Sequence, residues 1–166
     1  TKLNMTVKSI TKNMDKYDFQ NVGSEIYEFI WNDYCDWYIE LSKVYLNSKV
    51  LKEVLDQILI MLHPFMPFVT EDIYMSFNKK TIMKAKYPKY DKNNIYEDEY
   101  KKIESLKEYI TKVRNIKVEN NISKTSKIEY FINDKYALNI LKKLLKLDDY
   151  LPYNGEPLNK ISIVSD

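Results

Sequence analysis

The chain has 166 residues, 45% of them hydrophobic and 30% charged, which suits one domain or a domain with a small appendage. Its 26 basic and 24 acidic residues leave a net charge of +2, so global charge announces no nucleic-acid partner, although a local basic face remains open. Two glycines, one cysteine (Cys35) and no apolar run of about 18 residues argue against a glycine-rich phosphate cradle, an internal disulfide and a membrane span. The lone Cys35 fits a reducing, cytoplasmic setting. The chain starts at Thr1 without tail-like composition and reads as a piece of a longer protein.

Residues 2–13 carry Leu3, Val7 and Ile10 at helical spacing, and residues 15–19 form a turn. A main helix is expected over 21–45, with two apolar stripes. One runs through Val22, Ile26, Phe29, Ile30, Trp37, Leu41 and Val44, and the other through Tyr27, Trp31, Cys35 and Tyr38. Two stripes imply neighbours on both sides, so Trp31 and Trp37 are expected in the core. Leu46 to Ser48 is a tight turn in which Ser48 can cap the next helix, 49–62. His63 precedes Pro64 and ends that helix. An apolar elbow over 65–68 leads to a short helix with Thr70 as expected N-cap, ending near Phe77. The short connection makes these two helices antiparallel neighbours.

Composition changes near residue 79. Residues 79–94 read as an extended linker rich in lysine (Lys80, Lys84, Lys86, Lys89, Lys92). A long helix is expected over 96–120, with Ile103, Leu106, Ile110, Val113 and the Lys117 stem on one side and Asn120–Asn121 as C-cap. Residues 127–132 and 160–164 are strand-like. Between them Asp134 caps a helix over 135–147. The expected class is mainly α: an antiparallel helical bundle (1–78), the linker, and a small helix–strand–helix–strand appendage (95–166).

Catalytic constellations need partners that this chain lacks. His63 and Cys35 are the only residues of their types and their contexts do not pair them, so His63 reads as structural. Asp33, Asp36 and Glu40 share one helix without a histidine partner, which favours ion pairs with lysines of neighbouring helices over a metal site. Lys124 to Lys127 is a solvated loop.

Two blocks carry a family resemblance. Tyr27 to Trp31 followed by Cys35 to Glu40 resembles the bundle-core helix of the valyl-tRNA synthetase anticodon-binding domain. His63 to Glu71 resembles that domain's helix–elbow–helix, and Val113 to Lys117 its basic helix, with Lys117 where a second arginine is usual. The resemblance implies binding of the anticodon stem-loop of valine tRNA. It implies a parent enzyme that joins valine to tRNA with ATP and Mg in catalytic and editing domains outside this chain, and a monomer. No cofactor is expected within the chain itself. Backbone contacts are expected from Lys2, Lys8, Lys43, Lys49 and Lys52 near helix ends, and edge hydrogen bonds from Asn32 and Asp36. Arg114, the sole arginine, can hold phosphate bidentately or pair with a carboxylate. The alternatives are the same module of an isoleucyl- or leucyl-tRNA synthetase, or a helical protein–protein module that never touches RNA.

Overall fold

Leu3, Val7, Ile10 and Met14 put one apolar stripe on α1 (Lys2–Met14), with Val7 and Ile10 fully buried. The computed structural model describes residues 1–119, 121, 128–130, 139–141, 143–144 and 161–163. It divides into two compact units, Thr1–Tyr100 and Lys101–Asp166.

In the first unit α1 turns back through Tyr17, whose φ of 59° is left-handed, into α2 (Phe19–Glu28). Asp18 caps α2 by accepting from the Asn21 N–H. Glu25 binds α2 to α1, its Oε1 accepting from Ser9 Oγ at 2.9 Å and Asn13 Nδ2 at 2.7 Å.

The helix does not continue as α. Phe29–Ile39 is an 11-residue π-helix, followed by a single turn, α3 (Glu40–Ser42). Its i→i+5 ladder replaces the α spacing by one near five. Phe29, Tyr34 and Ile39 therefore turn inward together, as do Ile30 and Cys35. The same shift corrects the expected second stripe. Trp31 is 56% exposed and Tyr27 65% exposed, so neither belongs to the core, whereas Cys35 and Tyr38 are half-buried against it.

α4 (Ser48–Leu62) is capped by Asn47, which accepts from the Val50 N–H, and Ser48 is its first helical residue rather than its cap. α5 (Pro67–Asn78) starts earlier than Thr70 suggests, because Pro67 takes the first helical position where its missing N–H costs nothing. Thr70 is instead fully buried inside the helix. The two helices run antiparallel. His63 at the end of α4 meets Thr70 near the start of α5, and Asp56, in the middle of α4, meets Asn78 at the end of α5. The core gathers Val7, Ile10, Val22, Ile26, Phe29, Tyr34, Ile58 and Met61, each full burial contributing roughly 1.5–3 kcal/mol. A smaller cluster joins Leu59, Tyr74 and Ile82.

Residues 79–96 follow with two short 3-10 turns, Ile82–Lys84 and Lys92–Asn94. This stretch is fastened to α1. The Asn4 side-chain amide clamps Asp91, donating to its carbonyl and accepting from its N–H, and Thr1 Oγ1 accepts from the Tyr96 N–H.

α6 (Glu97–Glu119) has its first turn in the first unit and the rest in the second, where it buries Leu106, Ile110 and Val113 as its spacing predicts. Lys117 is also buried, and desolvation lowers its ammonium pKa below the usual lysine value. Asn121 takes a left-handed φ of 52°, as a helix C-terminus favours. β1 (Ile128–Tyr130) pairs antiparallel with β2 (Ile161–Ile163), Glu129 facing Ser162. Residues 139–141 and 143–144 are helical, and Ile140 and Leu141 are buried. Along the chain the order is helix, strand, helix, strand. The Lys124–Lys127 loop, the Asp134 cap and Asn120 lie outside the described residues.

Candidate nucleic-acid interface

Seven of the eight candidate RNA-facing side chains occupy several places on the first unit, and Arg114 lies in the second. Lys2, at the start of α1, reaches Asp33 Oδ2 at 3.6 Å, which brings it to the π-helix that also carries Asn32 and Asp36. Asn32 and Asp36 are both exposed. Beside them Tyr27 and Trp31 form a parallel aromatic pair, ring planes 3° apart and centroids 6.3 Å apart. Such rings can stack with bases. Glu28 and Asp36, close to the pair in sequence, are exposed carboxylates, a charge that disfavours a phosphate. Helical spacing hides this pair, because an α template assigns both rings to a buried stripe.

The remaining lysines divide by partner. Lys43 pairs with Glu40 one turn back, an exposed contact worth at most about 1 kcal/mol and easily redirected. Lys52 is tied down: its Nζ lies 2.6 Å from both Asp56 Oδ2 and Asn78 Oδ1, and Asn78 Nδ2 donates to Asp56 Oδ1 at 2.8 Å. That closed triangle joins α4 to the end of α5, so Lys52 has a structural use that its sequence position does not reveal. Lys49 is exposed at the first turn of α4 and makes no ion pair among the described residues. Lys8 sits over the Tyr90 ring, 4.8 Å from its centroid. Arg114 is exposed on α6 in the second unit and has interactions of its own.

Of the carboxylates read as ion-pair formers, Asp33 pairs with Lys2 of a neighbouring helix as expected, whereas Glu40 pairs with Lys43 at the end of its own helix. Among the described residues no group of three His, Cys, Asp or Glu side chains could hold a metal. His63 is held at both ring nitrogens: Nδ1 lies 2.7 Å from Thr70 Oγ1 and Nε2 lies 3.1 Å from Met83 Sδ. No helix among the described residues is long and apolar enough to cross a membrane.

Comparison with known proteins gives the arrangement its context. Residues 1–132 match the family model described as the anticodon-binding domain of tRNA ligase. The chain is 39% identical over 163 residues to a valine–tRNA ligase of Staphylococcus haemolyticus, covering 91% of this chain and 18% of that protein. It is 42% identical over 147 residues to valine–tRNA ligases of Staphylococcus epidermidis and Staphylococcus aureus, covering 81% of this chain and 17% of each. The chain thus spans less than a fifth of the length of these curated relatives. The family match covers most of the chain, including the whole helical bundle and all eight candidate side chains, and the chain belongs to the anticodon-binding domain family of tRNA ligases.

Proposed function

We propose that this chain binds the anticodon stem-loop of valine tRNA and positions that tRNA for a parent valine–tRNA ligase. The observation that carries this reading is the family match over residues 1–132, joined to relatives named valine–tRNA ligase at about 40% identity. Those names favour valine over isoleucine or leucine. Exposed lysines support phosphate contact, with Lys43 and Lys49 at helix ends and Lys8, which lies mid-way along α1 rather than at its end, the readiest, and Lys2 at the π-helix. Lys52 contributes through the α4–α5 junction. Asn32 supports an edge contact, and Arg114 supports a phosphate contact from the second unit.

The chain spans less than a fifth of the valine–tRNA ligases it matches, and we assign the joining of valine to tRNA, with its ATP and Mg, to catalytic and editing domains of the parent, a cytoplasmic monomer. A contact with those domains is supported at the α4–α5 turn. Phe65, Met66, Phe68 and Val69 are all exposed there, Phe68 at 88%, a composition suited to protein rather than to phosphate.

The test is a titration of the 166-residue chain with valine tRNA and with an anticodon-altered version, at two salt concentrations. Tighter, salt-sensitive binding of the unaltered tRNA is expected. Equal affinity for both, or no binding, would overturn anticodon recognition by this chain.

A further inference from the structure

The near-zero net charge hides a partition. α1 and residues 79–90 hold eight of the 26 basic residues (Lys2, Lys8, Lys12, Lys79, Lys80, Lys84, Lys86, Lys89) and none of the 24 acidic ones. The rest of the chain therefore carries 18 basic residues against 24 acidic. The fold brings the end of the second segment onto α1: Tyr90 meets Lys8, and the Asn4–Asp91 clamp, which sets one carboxylate-bearing residue beside the helix, continues the contact with the Thr1–Tyr96 bond.

Between them lies a groove of about 560 Å³, lined by Lys8, Thr11 and Met14 from α1 and by Tyr87, Pro88, Lys89 and Tyr90 from the returning segment. The volume falls in the usual range for ligand sites, roughly 300–1,000 Å³. Its wall is apolar and aromatic, and its two charges, Lys8 and Lys89, are both positive. Tyr87 lines the groove, and its hydroxyl is buried out of solvent reach without a hydrogen-bond partner. The Lys8 ammonium covers one face of the Tyr90 ring, which leaves the other face for stacking.

An aromatic wall that also carries two lysines suits a planar ring joined to a phosphate. We infer that this groove takes an unstacked nucleotide of single-stranded RNA, its base against Tyr87 and Tyr90 and its phosphate between Lys8 and Lys89. Stacking supplies a sequence-tolerant grip and the lysines supply salt-sensitive attraction. The inference deepens the tRNA-binding reading and rests on it for the identity of the natural RNA, so it is tested with a different probe.

The probe is an unstructured RNA octamer, titrated against the 166-residue chain at about 50 and 200 mM salt. Tyr90→Ala should weaken binding about tenfold, whereas Tyr90→Phe keeps it. Lys8→Gln combined with Lys89→Gln should reduce the logarithmic salt slope by about 1.4, since each single-strand phosphate contact contributes about 0.7. Lys112→Gln, a single charge change on α6, should leave both unchanged. All these side chains are exposed, so melting should stay near the parent's, and it is measured for each variant. No octamer binding, or Tyr90 and lysine variants indistinguishable from the parent, would overturn the groove. So would an octaglutamate peptide binding as tightly as RNA, because it carries charge without a ring. If valine tRNA binds with anticodon selectivity while the octamer result is negative, the groove fails and the tRNA reading stands. If the octamer behaves as expected while tRNA selectivity is absent, the groove stands and the anticodon reading fails.

Discussion

Tyr87 packs its ring against the main core and leaves its hydroxyl buried without a partner. The ring contributes apolar burial, while the desolvated hydroxyl costs about 1–3 kcal/mol. Tyr87→Phe should therefore stabilise the chain by about 1 kcal/mol at neutral pH, read from urea unfolding. Burial also raises the phenol pKa values of Tyr87, Tyr34 and Tyr38 above their ordinary value near 10. Each phenol thus keeps its proton in the folded state after the unfolded chain has lost it. The associated stability is full below pH 10 and drains as pH climbs through the raised values. A melting series from neutrality to alkaline pH should fall more steeply above that point, and Tyr87→Phe should soften the fall. An unchanged slope would mean that Tyr87 titrates alike in both states. Thr70 gives the opposite case. Its fully buried hydroxyl lies 2.8 Å from the Met66 carbonyl and 2.7 Å from His63 Nδ1. Thr70→Val keeps the shape but strands the imidazole nitrogen, and a loss of about 1–3 kcal/mol is expected from the same unfolding measurement.

Helices α1, α4 and α6 were legible because their apolar residues recur at α spacing and each buries one stripe. The π-helix was not, since nothing in Phe29–Ile39 marks a ladder of period five to a reader counting in threes and fours. Trp31 is the casualty: large, aromatic and aligned with Cys35 at α spacing, yet exposed. Caps shifted for a simpler reason. Asn47 and Ser48 are both good caps and adjacent, and Pro67 at the first position outranks Thr70. The candidate site was legible as residue types but not as pairings. The Lys52–Asp56–Asn78 triangle spans two helices, and Lys8 meets Tyr90 across more than eighty residues of chain. Element geometry also isolates Gly23, in the middle of α2. A β-carbon built there meets nothing within 4 Å. Gly23→Ala should therefore stabilise α2 by about 0.4–1 kcal/mol through the unfolded chain's lost freedom, seen as a higher melting temperature. A drop would show that the helix packs more tightly there than its geometry indicates.

Over the whole molecule the charge partition outweighs the net value. Near its isoelectric point of about 8.3 a chain with evenly mixed charge holds to neither kind of ion exchanger. This chain should still bind a cation exchanger at low salt through α1 and residues 79–90, and Lys8→Gln with Lys89→Gln should elute earlier. Co-elution of variant and parent would show that those lysines do not dominate the basic face. The same partition bears on how fast the chain meets a polyanion. A molecule that is nearly neutral from afar gains little long-range pull. Within about 8 Å at physiological ionic strength, the Debye distance, local charge outweighs the net value. An approach with α1 and the returning segment leading is then favoured over others. Productive collisions are sorted by orientation before any base is touched, so association should slow with added salt far more than a charge of +2 predicts.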